Sequence, residues 1–399
     1  MTTKTKTNII RIFNPIAASL ALAVSAILLG GTQAQAECTE VLSDLREPIG
    51  SLLTDQGNLL LSESGDATPG SGRISIVDPS GNRRTLVDGL PSGPADVGDP
   101  SGPTGIFMRG RNLYVLMGVG DVGIMGPRPG TTLENPNGPS SPIFSSVLVM
   151  YFSAETENAT NGFTLTPDDE QALADGEVVT LSNGGRDRIR IQLLVDFPNF
   201  IPFPLPDVPD NIQVSNPFGL VALRGMLYAT DGGRNHVWQV DLATKAFSPL
   251  VAFPNIPNPL FPDLGGPFLE AVPTGIAVSG GQLLVTLLRG APFPTGTSTV
   301  EQIDPATGGD TTLIDNLTTA IGIIPITKQG ATQYFVLEAS SAGPFFAGNG
   351  DFLLFEDPAG PPVVLADCLT LPSSMTLNRN TGTLYVTEVD GSLLTVPFR

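Results

Sequence analysis

The sequence predicts an all-β fold, a six-bladed β-propeller whose ring is closed by an N-terminal strand completing the last blade. Three observations carry this. An entry phrase recurs six times, at Pro48-Ile49-Gly50, Pro103-Thr104-Gly105, Pro217-Phe218-Gly219, Pro273-Thr274-Gly275, Ala320-Ile321-Gly322 and Pro372-Ser373-Ser374. Each entry leads into short β-rich runs bounded by turn residues, four runs to a unit of roughly fifty residues. The last unit runs out of chain after three strands, and Glu40 to Leu45 matches the missing fourth by comparison with Thr312 to Leu317. Supplying that strand from the other terminus leaves no open sheet edge.

Residues 1–36 read as a secretory signal. Lys4, Lys6 and Arg11 form a basic start, Ile16 to Leu29 an apolar stretch, and Ala34-Gln35-Ala36 a small-x-small cleavage site. The apolar stretch is short for a bilayer and no stop-transfer pattern follows it, so stable membrane insertion is not expected. Residues 37–399 form the propeller. Removing the leader takes away three bases and no acid, leaving 17 Lys and Arg against 39 Asp and Glu, a net charge of −22. Such a field repels nucleic acid and anionic lipid and favours cationic partners. Cys38 and Cys368 suit one disulfide in an exported chain. The repeat alignment puts them at opposite ends of their strands, which leaves the pairing open.

Taken in order, the first copy reads as strands Gly50 to Leu53, Leu59 to Ser62, Gly72 to Asp78 and Arg84 to Leu90. The third is the clearest, with Phe218 to Leu223, Met226 to Thr230, His236 to Asp241 and Phe247 to Phe253. Copies four and five repeat the pattern through Leu317 and Leu369, and the sixth has strands around Met375, Leu384 and Ser392. The second copy carries two insertions, 117–145 and 153–186. The first is rich in Gly and Pro. In the second, Thr166-Pro167-Asp168-Asp169-Glu170 supplies an N-cap, a proline at the first helical position and an acidic first turn, which predicts a short helix.

Strand alternation puts the loops after each second strand and the blade-to-blade connections on one face. That face collects Phe200, Phe203, Phe261, Phe268, Phe293, Phe345 and Phe346 on proline-stiffened segments. Second strands end there near the axis, at Glu63, Met117, Asp231, Leu287, Glu338 and Glu388. Four carboxylates at one equivalent position must be solvated, share protons, pair with cations such as Arg234 and Arg289, or bind a metal. Hard oxygen donors without thiolate or imidazole partners point to Ca²⁺ if they converge on an ion. The plainer alternative is that acids end these strands and bond loop amides.

His236 is the single histidine, which excludes a multi-histidine metal site and argues against a Ser-His-Asp hydrolase. Its setting is ordinary repeat chemistry, and Trp238 reads as core. No CxxC, Walker or EF-hand pattern is present.

Asn216-Pro217-Phe218-Gly219-Leu220, Leu227 to Asn235, Val272-Pro273-Thr274-Gly275-Ile276 and Gly382 to Glu388 resemble the ScyD/ScyE-like family, exported propellers related to NHL repeats. Asn235-His236-Val237 stands where the Asn-His-Leu signature of NHL repeats would fall. The resemblance spans essentially the whole mature chain. It implies an exported protein, periplasmic or extracellular, that acts on or binds aromatic precursors, because the family is associated with biosynthesis of the indole-phenol pigment scytonemin. Three readings follow. One is a propeller that receives an aromatic or apolar small molecule on its Phe/Pro-rich face. Another is a metal-dependent enzyme, a lactonase-like hydrolase or a late coupling catalyst, built on the carboxylate ring. The third is a structural envelope protein.

Overall fold

The computed structural model describes residues 36–398, so the leader expected over 1–36 lies, Ala36 apart, outside the described residues. Among them, six sheets follow one another along the chain, each wound in strand order outward from the axis. Blade 1 comprises Pro48–Leu53, Leu59–Glu63, Gly72–Val77 and Arg83–Leu90. Blade 2 comprises Pro103–Arg109, Asn112–Met117, Ser146–Tyr151 and Arg188–Asp196. Blade 3 runs through Pro217–Leu223, Met226–Asp231, His236–Asp241 and Phe247–Ala252. Blade 4 has Pro273–Ser279, Gln282–Leu287, Ser298–Ile303 and Asp310–Leu317. Blade 5 has Ala320–Lys328, Ala331–Glu338, Gly350–Phe355 and Val363–Leu369. Blade 6 contributes Pro372–Asn378, Thr383–Glu388 and Leu393–Pro397, and its outer strand is Thr39–Leu42 from the N-terminal side. The predicted closure is therefore present, with Thr39 opposite Thr395 and Leu42 opposite Leu393.

The disulfide question is also answered. Cys38 bonds Cys368 across a sequence separation of 330, tying the closing strand of blade 6 to the outer strand of blade 5. The Ala36 N–H donates to Leu365 O at 2.8 Å, so the chain runs along blade 5 before crossing into blade 6.

Each seam between blades holds its own apolar cluster. Leu60, Ile74, Leu113 and Val115 fill the seam of blades 1 and 2, and Leu45, Leu61 and Leu393 fill that of blades 6 and 1. Burying both faces of every sheet in this way removes apolar area from water around the entire ring. The entry glycine follows from the same closeness. A β-carbon at Gly50 would stand 2.6 Å from Thr104 O in the next blade, and one at Gly275 2.6 Å from Ile321 O. Any larger residue would push neighbouring first strands apart.

A latch repeats in all six blades. The N–H just past the second strand donates to the carbonyl just before the entry: Ser64 to Glu47, Gly118 to Gly102, Gly232 to Asn216, Leu288 to Val272, Ala339 to Thr319 and Val389 to Leu371. Glu47, Val272, Thr319 and Leu371 hold φ between 45° and 52°, a left-handed conformation unfavourable to non-glycine residues that the latch stabilises.

The second insertion of blade 2 forms helices Ala154–Ala159 and Pro167–Ala174, the latter capped by Thr166 and Asp169 as its sequence predicts. Its segments Phe163–Thr164 and Val178–Ser182 pair with the outer edges of blades 1 and 2. The insertion thus covers two sheet edges that would otherwise be open.

Candidate functional site

The four second-strand carboxylates are where the repeat places them, and all are buried: Glu63 and Asp231 are 0% exposed, Glu338 and Glu388 5%. They do not form the shared oxygen site expected of a carboxylate ring. Among the described residues no three His, Cys, Asp or Glu stand together in a group that could hold a metal ion. Each carboxylate turns into its own blade and accepts from an entry amide: Arg46 N–H to Glu63 and Asn216 N–H to Asp231 at 2.8 Å, Thr318 N–H to Glu338 and Thr370 N–H to Glu388 at 2.5 Å. Glu63 also takes the Arg83 guanidinium through both oxygens at 2.7 Å, and Asp231 accepts from Trp238 Nε1 at 2.9 Å. The physical reason is local. The entry linkers present N–H groups without strand partners, and a buried carboxylate one strand away satisfies them.

Among the described residues neither arginine proposed as a partner forms an ion pair with these carboxylates, although Arg234 donates its backbone N–H to Asp231 at 3.1 Å and its charge acts on that group. The Arg234 guanidinium lies 5.9 Å from the Trp238 ring centroid, and Arg289 is buried with Nε donating to Thr297 O at 3.0 Å. Burial pushes both guanidinium groups below their ordinary range. His236 is buried against Trp238, ring centroids 4.2 Å apart, and burial lowers it to about 4, so it is neutral near pH 7.

The phenylalanines divide. Phe203, Phe261, Phe268 and Phe345 are 50–61% exposed. Phe200 packs with Val119, Val122 and Phe144 in a small core of its own, and Phe346 packs on the seam of blades 5 and 6 with Phe293 4.3 Å away. Of the seven, Phe203 alone lines the principal cavity.

That cavity, of about 500 Å³, opens on the elaborated face over blades 1 to 4. Its floor consists of the residues just after the entry prolines, Ile49, Thr104, Phe218 and Thr274. Thr104 and Thr274 also bond the next blade, through Pro217 O at 2.8 Å and Ala320 O at 3.2 Å. The walls are a collar of two-stranded hairpins, among them Gly93–Pro94 with Pro100–Ser101, Gly123–Met125 with Thr132–Glu134, and Phe200–Pro202 with Ile212–Val214. These hairpins bond one another. Thr132 donates its hydroxyl to Asp96 and its N–H to Asn211 Oδ1, and Arg128 pairs with Asp207 at 2.6 Å. A collar fixed by such cross-links presents a preformed cavity rather than mobile loops.

Four acids line it, Glu47, Asp96, Asp99 and Glu270. Burial pushes the Glu47 carboxyl up to about 7, and nearby Asp99 adds to the rise. Glu270 stands at the rim, where partial desolvation raises its carboxyl, a hydrogen bond from Asn235 opposes the rise and Asp96 adds to it. None of the four was singled out from sequence. They sit in short linkers outside the aligned strands, where the repeat assigns no position.

No protein-family model matches the chain, and no curated protein matches it. Among solved structures it is similar to a streptogramin B lyase (13% identity, 92% of this chain and 98% of that one, TM-score 0.48). It is also similar to a catalytically inactive virginiamycin B lyase from Staphylococcus aureus with quinupristin (12%, 92% and 100%, 0.44) and to a candidate gluconolactonase (10%, 91% and 92%, 0.48). With identities of 13% or less and TM-scores of 0.48 or less, no residue role is taken from them.

Proposed function

We propose that this chain is an exported, ligand-binding propeller that takes one small molecule with an apolar body in the cavity over its axis. The observation that carries the reading is the cavity itself. About 500 Å³, floored by Ile49 and Phe218 and walled by cross-bonded hairpins, is within the range of small-molecule sites. The Cys38–Cys368 bond supports an oxidising compartment outside the cytoplasm. The resemblance to the ScyD/ScyE-like family supports an aromatic ligand in extracytoplasmic pigment chemistry.

The test is a melting-temperature screen with naphthalene-sized compounds against the wild type and Ile49→Trp, which fills the floor. Compounds that raise the wild-type midpoint should leave the variant's unchanged while its circular dichroism stays that of the parent. A screen without any shift would favour a purely structural protein. An acid–base enzyme has one observation in its favour: Glu47, near 7 beside Asp99, has the proton affinity of a general base at neutral pH. Chemical conversion of the bound compound would distinguish that reading from binding alone.

A further inference from the structure

The electrostatics of the cavity go further than its shape. Its lining carries the carboxylates Glu47, Asp96, Asp99 and Glu270 and no Lys, Arg or His. They come from three different linkers: Glu47 from the entry of blade 1, Asp96 and Asp99 from the connection of blades 1 and 2, and Glu270 from that of blades 3 and 4. The ion pairs among the described residues go elsewhere, to Glu63, Glu157 and Asp207. Among the described residues the cavity acids therefore have no ion-pair partner. Like charges crowded at a partly desolvated mouth repel one another, and each is stabilised by a cation placed between them. The surplus of 39 acids over 20 bases extends the same sign to long range and draws cations toward the protein.

We propose that the cavity selects ligands carrying a positively charged nitrogen, with an apolar body against Ile49, Phe203 and Phe218 and the charged head among Glu47, Asp99, Asp96 and Glu270. This rests on the cavity being a ligand site and adds the chemical class of the ligand. Organic anions are excluded by the same field. A protonated amine with an apolar body is preferred to a bare divalent ion because no three of these acids form a group that could hold a metal ion.

The experiment compares three probes of one skeleton by calorimetry at pH 8 and low salt: 2-(1-naphthyl)ethylammonium, 2-(1-naphthyl)ethanol and 1-naphthylacetate. The ammonium probe should bind at least about tenfold more tightly than the alcohol, a difference of about 1.4 kcal/mol, and the carboxylate should not bind. In Glu47→Gln/Asp99→Asn the ammonium preference should fall while the alcohol's affinity is kept. Should that variant misfold, Asp96→Asn/Glu270→Gln serves the same purpose with the other two acids. Equal affinity for alcohol and ammonium in the wild type would overturn the charge preference and leave the cavity reading standing. Ammonium preference undiminished in both folded variants would overturn the role of these acids. No binding by any probe would remove the cavity as a ligand site, and the proposal with it.

Discussion

Ser373 in blade 6 donates its hydroxyl to the carbonyl oxygen of Pro48 in blade 1 at 2.5 Å, joining residues 325 apart in sequence at the axis of the ring. The equivalent bond recurs from Thr104 to Pro217 O and from Thr274 to Ala320 O, and second-strand hydroxyls also reach the next blade, from Ser62 to Thr104 O and Thr230 to Thr274 O. Ring closure thus has two parts, a hydroxyl at the centre and a strand with its disulfide at the rim. Ser373→Ala leaves a buried carbonyl short of one donor and should cost about 1–3 kcal/mol. Urea unfolding with an unchanged slope would measure it, and a cost below about 0.5 kcal/mol would argue against a role for the axial bond.

The rim closure should matter more. Deleting Glu37 to Leu45 removes the outer strand of blade 6, the buried Leu45 and the disulfide together. The Cys38→Ser/Cys368→Ser variant isolates the cross-link. With 330 residues between the cysteines, its loss should cost at the upper end of about 2–5 kcal/mol. Thermal unfolding of the two variants should give the order wild type, double serine, deletion, and a deletion as stable as the wild type would refute closure by this strand.

Burial raises Glu338 from 4.5 to about 8, against the hydrogen bond from Thr318 N–H and with help from Asp351. A carboxyl that holds its proton more tightly when folded contributes stability fully below about 4.5, and that contribution is lost as pH rises through about 8. The decline approaches about 1.4 kcal/mol per pH unit between the two values. Glu338→Gln keeps an acceptor for Thr318 without the titration. Its stability relative to the wild type should therefore rise steadily from pH 5 to pH 8, and a difference independent of pH would contradict this account.

The repeat was legible because its chemistry is local. Entry prolines, glycines that admit a neighbouring carbonyl, and a Thr166 cap each leave a mark within a few residues. The closing strand was legible because blade 6 lacks one. For Glu63, Asp231, Glu338 and Glu388 the sequence left two readings open, an ion site and bonds to loop amides, and the structure shows the second. Their register puts them near the axis, but the hydrogen-bond demand of Arg46, Asn216, Thr318 and Thr370 turns them into their blades. Phe200 and Phe346 look like ligand contacts in a loop yet pack inward, Phe200 in the small core of the hairpin collar and Phe346 on the seam of blades 5 and 6. The cavity acids Glu47, Asp99 and Glu270 come to line one cavity only through folding of three linkers, which no spacing in the chain announces.

Glu157 anchors the second insertion of blade 2. Fully buried, it accepts from Thr54 Oγ1 at 2.6 Å and Asn58 Nδ2 at 2.9 Å and pairs with Arg111 at 2.8 Å. Glu157→Ala strands a part-buried guanidinium and two polar groups, and should cost about 3–5 kcal/mol. The loss should be regional at first, with trypsin cutting at Arg186 or Arg188 much faster than in the wild type. Unchanged cleavage would show that the paired edge strands hold the insertion without it.

The central claim is that the axial cavity, rather than the exposed aromatic surface, is where a ligand sits. A crystal structure with 2-(4-bromo-1-naphthyl)ethylammonium, read by bromine anomalous scattering, tests it directly. The account predicts one dominant bromine peak above Ile49 and Phe218, inside the hairpin collar. Bromine found only against Phe261, Phe268 or Phe345, with the cavity empty, would contradict it.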